Sequence, residues 1–253
     1  MVHHSNGTRN LFEIFANNSD DNDLSVKVLN ELFPNLDTKD ISQYHDIDSF
    51  NSILKENNNC LTFLHLNMRS MVKKLDSLDA LIKSLSHSPD VIALSETWLK
   101  EKNSKYYCLN GYIAFHLTRS NRKGGGVSLL VKSNINSELI DEFSFIGEDM
   151  EICTIKMRVN CSNSEQPKTY IVSCVYRPHK KVKNVGKFKE ALNTILHNRI
   201  FTNNNTLLLA DFNIDLLNYQ NHRPTEQYLT HMQSINYYEL ISRPTRFPTD
   251  KKA

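Results

Sequence analysis

The segment Leu207-Leu208-Leu209-Ala210-Asp211-Phe212-Asn213 combines an apolar run with two polar residues and is the most informative part of the sequence for assigning the fold. Its first four residues, Leu207 to Ala210, are typical of a short buried strand. Asp211 and Asn213 follow where this strand ends. In open α/β sheets, ligands bind outside the carboxyl ends of the strands, so a carboxylate and an amide there can hold a water molecule or a phosphate oxygen. An Asp-x-Asn turn that only ends the strand is the alternative.

Two earlier predicted strands also end in polar side chains. The first is Leu61–Asn67, which ends in an amide, and the second is Asp90–Glu96, which ends in a carboxylate. Between them, Ser70 is suited to cap a helix whose apolar residues recur at helical spacing: Val72, Leu75, Leu78, Ile82 and Leu85. A strand, a helix and a strand in this order predict a parallel pair joined by a crossover helix.

Further short strands and two helices are predicted along the rest of the chain. The strands are Tyr112–Leu117, Val127–Val131, Phe143–Phe145, Met150–Met157, Thr169–Tyr176 and Glu239–Ile241. The helices are Asn184–Asn198 and Thr225–Ile235. Together with the strands above, these elements predict an α/β fold.

A glycine turn, Gly124-Gly125-Gly126, separates the first two of these strands. Glycine permits a sharp turn or a close approach to a ligand. No Gly-Lys-Ser/Thr follows, which excludes a nucleotide P-loop. We expect a hairpin whose basic arm, Arg119, Arg122 and Lys123, lies near a substrate.

The charge of the chain is unevenly distributed. The 253 residues carry a formal net charge of only +2, and their length is sufficient for one sizeable core. Residues 1–60 hold ten acidic and four basic residues, which leaves 18 acidic and 26 basic residues in 61–253. A basic globular part favours a polyanionic partner such as nucleic acid. A solvated basic surface would give the same pattern.

The first 59 residues differ in composition from the rest, being rich in Asn, Asp and Ser. Such a segment buries too little apolar surface to fold alone. We therefore expect residues 1–59 to be a largely disordered leader with weak helices, one of them lined by Val26, Leu29, Leu32 and Phe33. The globular domain is expected to span residues 60–253.

Cysteine usage and hydropathy indicate an intracellular protein. The five cysteines are an odd number and include no Cys-x-x-Cys, which favours reduced thiols over a disulfide framework or a zinc site. The sequence shows no signal peptide at its start and no apolar run that could span a membrane. We expect the cytoplasm or the nucleus.

Four predicted strand ends thus carry polar groups: Asn67, Glu96, Tyr176, and Asp211 with Asn213. Each group alone is more often structural than catalytic. Together they favour a phosphodiesterase site that uses a hard metal ion. Oxygen ligands such as Glu96 suit Mg²⁺, which takes one or two carboxylates together with waters and substrate phosphate. A bound metal ion polarises the phosphoryl oxygen and stabilises the leaving oxygen.

Five segments in this order resemble the endonuclease/exonuclease/phosphatase superfamily, and most closely the endonuclease domain of jockey-type non-LTR retrotransposons. They are Leu66–Ser70, Ile92–Leu99, Gly124–Val127, Val175–Pro178 and Ala210–Asn213. The resemblance extends from about Leu61 to Phe247. It implies a four-layer α/β sandwich of the DNase I type, in which helices flank two packed mixed sheets. It also implies a nuclease that hydrolyses DNA with Mg²⁺ or Mn²⁺.

The resemblance implies a role for each residue of the site. Glu96 would be the main metal ligand, with Asn67 beside the metal and the phosphate. Tyr176 would donate a hydrogen bond to a phosphate oxygen. Asp211 would orient or deprotonate the attacking water or serve the leaving group, and Asn213 would fix the phosphate and Asp211. On charge alone, Arg177 and the arm of Arg119, Arg122 and Lys123 are candidate contacts to the DNA backbone.

The resemblance also implies a later Ser-Asp-His segment that this sequence does not contain before Ala253. We therefore expect a domain truncated at its C-terminus, without the last strands of the second sheet. Three functions stay open: a Mg²⁺-dependent retrotransposon-type endonuclease that nicks target DNA, a catalytically inactive remnant that at most binds DNA, and another phosphoesterase of the superfamily. The sequences Tyr-Arg-Pro and Ala-Asp-Phe-Asn favour a retrotransposon endonuclease over another phosphoesterase of the superfamily.

Overall fold

The computed structural model describes residues 43–57, 60–120, 123–160, 166–178, 185–241 and 245, and the backbone of residues 2–3. The chain divides into two compact units, one of Met1–Phe12 and Ile47–Asn213 and one of Glu13–Asp46 and Ile214–Ala253. Arg122 and the helix expected around Val26–Phe33 lie outside the described residues.

The first unit contains two mixed β-sheets. The strands of the four-stranded sheet are β2 (Phe63–Asn67), β3 (Val91–Ser95), β4 (Tyr112–Leu117) and β5 (Val127–Lys132), in the order β2–β3–β5–β4. The strands of the six-stranded sheet are β1 (Val2–His3), β6 (Asn136–Leu139), β7 (Phe145–Ile146), β8 (Glu151–Val159), β9 (Lys168–Tyr176) and β10 (Asn205–Asp211). Their order is β1–β10–β9–β8–β6, with β7 beside β8.

The parallel pair predicted near the start of the domain is confirmed. Strands β2 and β3 pair in parallel, with Asn67 opposite Ser95, and helix α2 (Met71–Ser84) connects them. Strands β9 and β10 form a second parallel pair, in which Asp211 lies opposite Tyr176. Because parallel strands end at the same edge of a sheet, each pair brings its polar C-terminal residues together.

The main core lies between the two sheets. Alternate residues of β3 and β5 face alternate residues of β8 and β9, and the buried side chains are Val91, Ala93, Val127, Leu129, Val131, Cys153, Ile155, Met157, Tyr170, Val172, Cys174 and Tyr176. Fully burying an aliphatic side chain of this size contributes roughly 1.5–3 kcal/mol. The other residues of β3 and β5, including Ile92, Leu94 and Leu130, pack against α2. The alternation explains why both sheets are fixed in register.

Helices flank the sheets, as the four-layer prediction requires. Helix α4 (Val185–Leu196), predicted over Asn184–Asn198, buries an apolar face, and Phe188 contacts Phe212 with a ring separation of 5.7 Å. Helix α5 (Arg199–Thr202) follows, and the side chain of Asn198 caps it by accepting a hydrogen bond from the Ile200 N–H at 3.0 Å. The predicted α/β architecture of two mixed sheets flanked by helices is confirmed.

A helix also lies within the stretch expected to be a leader. Helix α1 (Ile47–Glu56) buries Leu54, which is 3% exposed. The amide of Asn51 donates to the Ser84 carbonyl at 2.9 Å and accepts from the Ser86 N–H at 2.6 Å. Side-chain contacts to the end of α2 therefore hold α1 in place.

The start of α2 differs from the predicted serine cap. Ser70 occupies the N-cap position, but with φ at 98° its side chain makes no capping hydrogen bond. Backbone contacts hold this end instead, because the N–H groups of Ser70 and Met71 donate to the carbonyls of Glu96 and Thr97 at 3.0 and 2.8 Å. The helix consequently buries Met71 and leaves Val72 47% exposed.

Some short elements depart from the predictions. Glu239–Ile241 forms no strand, and the strand predicted over Phe143–Phe145 is a 3-10 helix, Asp141–Phe143, followed by β7. Strand β6 and helix α3 (Glu101–Ser104) were not predicted. Both are short and mostly polar, so hydrophobic periodicity gives no signal for them.

The second unit contains a 3-10 helix, Leu216–Asn221, and helix α6 (Arg223–Ser234), which was predicted over Thr225–Ile235. Pro224 lies in the first turn of α6, where a missing N–H has no cost. Among the residues that the structure describes, none of the helices has the length and apolar character needed to cross a membrane.

Candidate active site

Asn67 joins the polar ends of the two sheets. Its amide nitrogen donates to Oε1 of Glu96 at 2.8 Å and to Oδ2 of Asp211 at 2.7 Å. Asn67 and Glu96 belong to the four-stranded sheet, whereas Asp211 ends β10 of the six-stranded sheet. The two carboxylate oxygens share one donor, so they lie within a few ångströms of each other. Three of the predicted site residues therefore meet.

The segment that carries Glu96 has an unusual backbone conformation. Glu96 and Trp98 have φ values of 52° and 55°, in the left-handed region that costs an ordinary residue about 1–2 kcal/mol. Neighbouring backbone holds them there, because the N–H groups of Thr97 and Trp98 donate to the carbonyls of Gly126 and Gly125 at 3.2 and 2.8 Å. The segment is thereby fixed at the strand end.

The glycine turn braces this segment. The hairpin predicted around it is confirmed, with Leu117 of β4 opposite Val127 of β5. Gly126 has a φ of 85°, and a Cβ there would come within 2.6 Å of the Thr97 hydroxyl. The turn consequently requires glycine in order to lie against the residue that follows Glu96.

Arg119 of the basic arm is engaged inside the protein. Its guanidinium forms an ion pair with Glu151, and the two side chains are 10% and 0% exposed. The second carboxylate oxygen of Glu151 accepts from the Gly126 N–H at 2.6 Å. The structure thus places Arg119 as a buried support of the glycine turn rather than on the surface where we expected a DNA contact. Lys123 of the same arm is exposed.

Arg177 is likewise engaged inside the protein. It is 9% exposed, and its guanidinium donates to the carbonyls of Phe212 and Asn213, each at 2.5 Å. The side chain of Asn213 donates in turn to the Arg177 carbonyl at 2.7 Å. These bonds hold the loop after β10, in which Asn213 has a φ of 49° and donates through its N–H to Asp211 at 3.2 Å. Arg177 therefore positions the Asp211 loop, whereas we had expected it to contact DNA.

Tyr176 lies between the acidic groups of the site. It pairs with Glu151 on one side and with Asp211 on the other. Burial, with the charges of Glu96 and Asp211 adding to it, raises the pKa of Tyr176 to about 12. The hydroxyl is therefore protonated at neutral pH and can act as a hydrogen-bond donor.

Sequence reasoning missed two residues near this site, Glu151 and His65. His65 shares a strand face with Asn67, and its Nε2 is buried without a hydrogen-bond partner in the part of the chain that the structure describes. Burial lowers the pKa of His65 to about 4, against the opposing effect of Asp211. The alternation of Phe63, His65 and Asn67 along β2 could have identified His65. Glu151 could have been identified because it is a carboxylate within an otherwise mostly apolar strand.

The donors at this site fit a hard divalent cation. Among the described residues, no group of three or more His, Cys, Asp or Glu side chains is arranged to hold a metal ion. Here two carboxylates, Glu96 and Asp211, converge on one amide. Mg²⁺ commonly uses one or two carboxylates and completes its shell with waters and substrate phosphate. Two carboxylates this close repel each other, and a cation between them offsets this electrostatic repulsion.

Comparisons with known proteins agree with this fold. The family model described as Endonuclease/Exonuclease/phosphatase family matches residues 64–251. The catalytic domain of Xenopus laevis APE2 superposes with a TM-score of 0.49 at 18% identity, covering 68% of this chain and 67% of that one. The AP endonuclease LMAP from Leishmania major gives a TM-score of 0.50 at 13% identity, covering 70% and 66%.

At these identities the likeness to the solved structures concerns the fold alone. The chain spans 67% and 66% of the lengths of the two solved structures, about two thirds of each. A search of curated proteins found no match.

Proposed function

Because this chain belongs to the endonuclease/exonuclease/phosphatase family, we propose that it is a divalent-cation-dependent phosphodiesterase that acts on DNA. Its most specific form is an endonuclease of the non-LTR retrotransposon type that nicks target DNA with Mg²⁺ or Mn²⁺. One observation carries the proposal: the amide of Asn67 joins carboxylates that come from two different sheets. Two like charges brought together in this way repel each other unless a cation lies between them.

Glu96 and Asp211 would hold the cation. When bound, it supplies a Lewis acid that polarises the phosphoryl oxygen and stabilises the leaving oxygen. Asn67 turns its amide nitrogen, not its oxygen, towards both carboxylates, and its oxygen accepts from the Arg69 N–H at 3.2 Å. We therefore assign Asn67 to the positioning of the two carboxylates, in place of the ligand role expected from the sequence.

Tyr176 and the Asp211 loop would act on the phosphate and on water. A protonated Tyr176 can donate a hydrogen bond to a non-bridging phosphate oxygen, and this bond strengthens as charge develops there. Asp211 lies next to Tyr176 on the neighbouring strand and can accept a proton from an attacking water. The bond from the Asn213 N–H to Asp211 fixes the orientation of that carboxylate.

Two features support DNA, and the retroelement branch, over other phosphoesters. The globular part of the chain is basic, as polyanion binding requires. The five sequence segments occur in the order expected for retrotransposon endonucleases. Two of them, Tyr176-Arg177-Pro178 and Ala210–Asn213, also favour this group by their residues.

A plasmid-nicking assay tests the proposal. Supercoiled plasmid is incubated with the protein and Mg²⁺ or Mn²⁺, and the relaxed product is quantified. We expect nicking that EDTA abolishes and that Glu96→Gln and Asp211→Asn lower by at least about a hundredfold. Glu138→Gln is the matched control, because Glu138 is an exposed carboxylate on β6 that pairs with Lys156. A folded protein that never nicks DNA, or whose Glu96→Gln variant nicks at the rate of the wild type, would contradict the proposal.

A further inference from the structure

Arg69 lies in the turn between β2 and α2, two residues after Asn67. Its N–H donates to the side-chain oxygen of Asn67, and its φ is 43°. The flanking N–H groups of Met68 and Ser70 donate to the carbonyls of Ser95 and Glu96 at 2.9 and 3.0 Å. The backbone of Arg69 is thus fixed on both sides, in a conformation that costs an ordinary residue energy.

The side chain of Arg69, in contrast, is exposed and uncommitted. Within the described ranges of the chain, its guanidinium has no hydrogen bond and no ion pair. Arg119 and Arg177, which the sequence suggested as phosphate contacts, are both bonded inside the protein. The positively charged guanidinium of Arg69, next to Asn67, therefore remains available to bind an anion from outside the protein.

The local charges argue against an internal role for this guanidinium. Glu96 and Asp211 are the two acidic residues bonded to Asn67, and both accept hydrogen bonds from its amide nitrogen. An arginine that served to neutralise them would form bidentate bonds to one of them. Arg69 does not, although its own backbone contacts Asn67.

We propose that Arg69 binds a phosphate of the DNA backbone beside the phosphodiester that lies at Glu96 and Asp211. This inference rests on the proposed function and deepens it, because it assigns the residue that places the DNA strand. A guanidinium presents two parallel N–H groups to a phosphate, which matches the anion in geometry as well as in charge. Its fixed backbone limits the entropy that such a contact costs.

Binding of a fluorescein-labelled duplex oligonucleotide, followed by anisotropy in EDTA over a series of KCl concentrations, tests the inference. EDTA prevents cleavage, so affinity is measured without activity. Loss of one phosphate contact lowers the slope of log K against log salt by about 0.9. For Arg69→Gln we expect this change and a loss of affinity of about tenfold at low salt. Arg69→Lys is expected to retain most of the slope, since its charge remains.

Arg158→Gln is the matched control. Arg158 is an exposed arginine near the far end of β8, seven residues from Glu151, or roughly 23 Å along the strand. We expect it to bind DNA with the affinity and slope of the wild type. Circular dichroism verifies folding, and Arg69→Asn replaces Arg69→Gln if the latter does not fold, because asparagine tolerates the left-handed conformation.

The outcomes separate the inference from the proposed function. If the wild type binds DNA and Arg69→Gln binds with an unchanged slope, the inference is wrong and the proposed function stands. An equal loss in Arg158→Gln also overturns it, since the effect then reflects total charge. If the wild type binds the duplex neither in EDTA nor with Ca²⁺ in place of EDTA, DNA is not the partner and both proposals fail.

Discussion

Asn67 and Asp211 are 144 positions apart in the chain and are joined by a hydrogen bond of 2.7 Å. The bond joins the carboxyl end of β2 in one sheet to the carboxyl end of β10 in the other. It places a neutral donor against a carboxylate that would otherwise face Glu96 directly. This hydrogen bond explains why two carboxylates can stay close before a cation binds.

Replacing Asn67 by Asp should make the site dependent on a cation for stability. The variant loses the shared donor and places a third carboxylate beside Glu96 and Asp211, where like charges repel. We expect a lower melting temperature than the wild type in EDTA, and a larger increase on addition of Mg²⁺. Thermal unfolding with and without Mg²⁺ measures both effects. An equal melting temperature for the two proteins in EDTA would contradict the positioning role of Asn67.

The glycine turn should tolerate alanine poorly. Gly126→Ala places a Cβ at a φ of 85° and against the Thr97 hydroxyl, so we expect the free energy of unfolding to fall by about 2–3 kcal/mol. Nicking should fall with it, because the turn holds the segment after Glu96.

Gly111→Ala is the control for the turn, since Gly111 has a φ of 83° but no atom within 4 Å of an added Cβ. We expect the free energy of unfolding of this variant to fall only by the cost of the backbone conformation, about 1 kcal/mol. Urea denaturation of both variants measures the difference. If Gly111→Ala and Gly126→Ala were equally destabilised, the contact with Thr97 would have no effect.

The buried pair of Arg119 and Glu151 should show strong coupling. Arg119→Met leaves the fully buried Glu151 carboxylate without its charge partner, which costs about 3–5 kcal/mol. Combining it with Glu151→Gln removes the unpaired charge, and we expect the double variant to regain part of the stability. A double-mutant cycle by urea denaturation measures the coupling. Additive losses would show that the two side chains do not act as a pair.

His116 should make the fold sensitive to acid. Its Nδ1 lies 2.7 Å from the Ser128 hydroxyl, and burial lowers the pKa of His116 below its usual 6.5. The unfolded chain then takes up a proton first as the pH falls below about 6.5, so stability is lost in that range and is unaffected above it.

The variant His116→Asn should lose less stability than the wild type between pH 7.5 and pH 5. Both proteins retain His65, whose pKa is also lowered by burial, so their difference isolates His116. His87→Asn, a change at an exposed histidine, is the control. Unfolding free energies that decline in parallel for the wild type and His116→Asn would rule out this contribution.

The fold could be predicted largely because its strands and crossover helix repeat with clear periods. The alternation along β3 and β5 and the helical spacing in α2 each reflect one buried face, and burial is what periodicity measures. Strand β6 carries no such pattern, because its sequence Asn136–Leu139 is short and mostly polar. Its place depends on pairing with β8, which is a tertiary contact.

Three of the polar strand ends, Asn67, Glu96 and Asp211, lie in contact, whereas the contacts of the arginines differ from those expected. Asn67, Glu96 and Asp211 follow from where strands end. Arg119 and Arg177 were expected on the surface because charge alone was considered. Their actual partners, Glu151 and the carbonyls after β10, come from distant strands that sequence spacing does not relate.

If carboxylates from two sheets form one cation site, calorimetric titration of Mg²⁺ into the protein should detect the contribution of each carboxylate. We predict that Glu96→Gln and Asp211→Asn each weaken Mg²⁺ binding by about tenfold or more, since each removes one of two charged ligands. The control Glu138→Gln should bind as the wild type does. If Asp211→Asn binds Mg²⁺ with unchanged affinity while Glu96→Gln does not, the cation is held by one sheet alone and a site shared between the two sheets is contradicted.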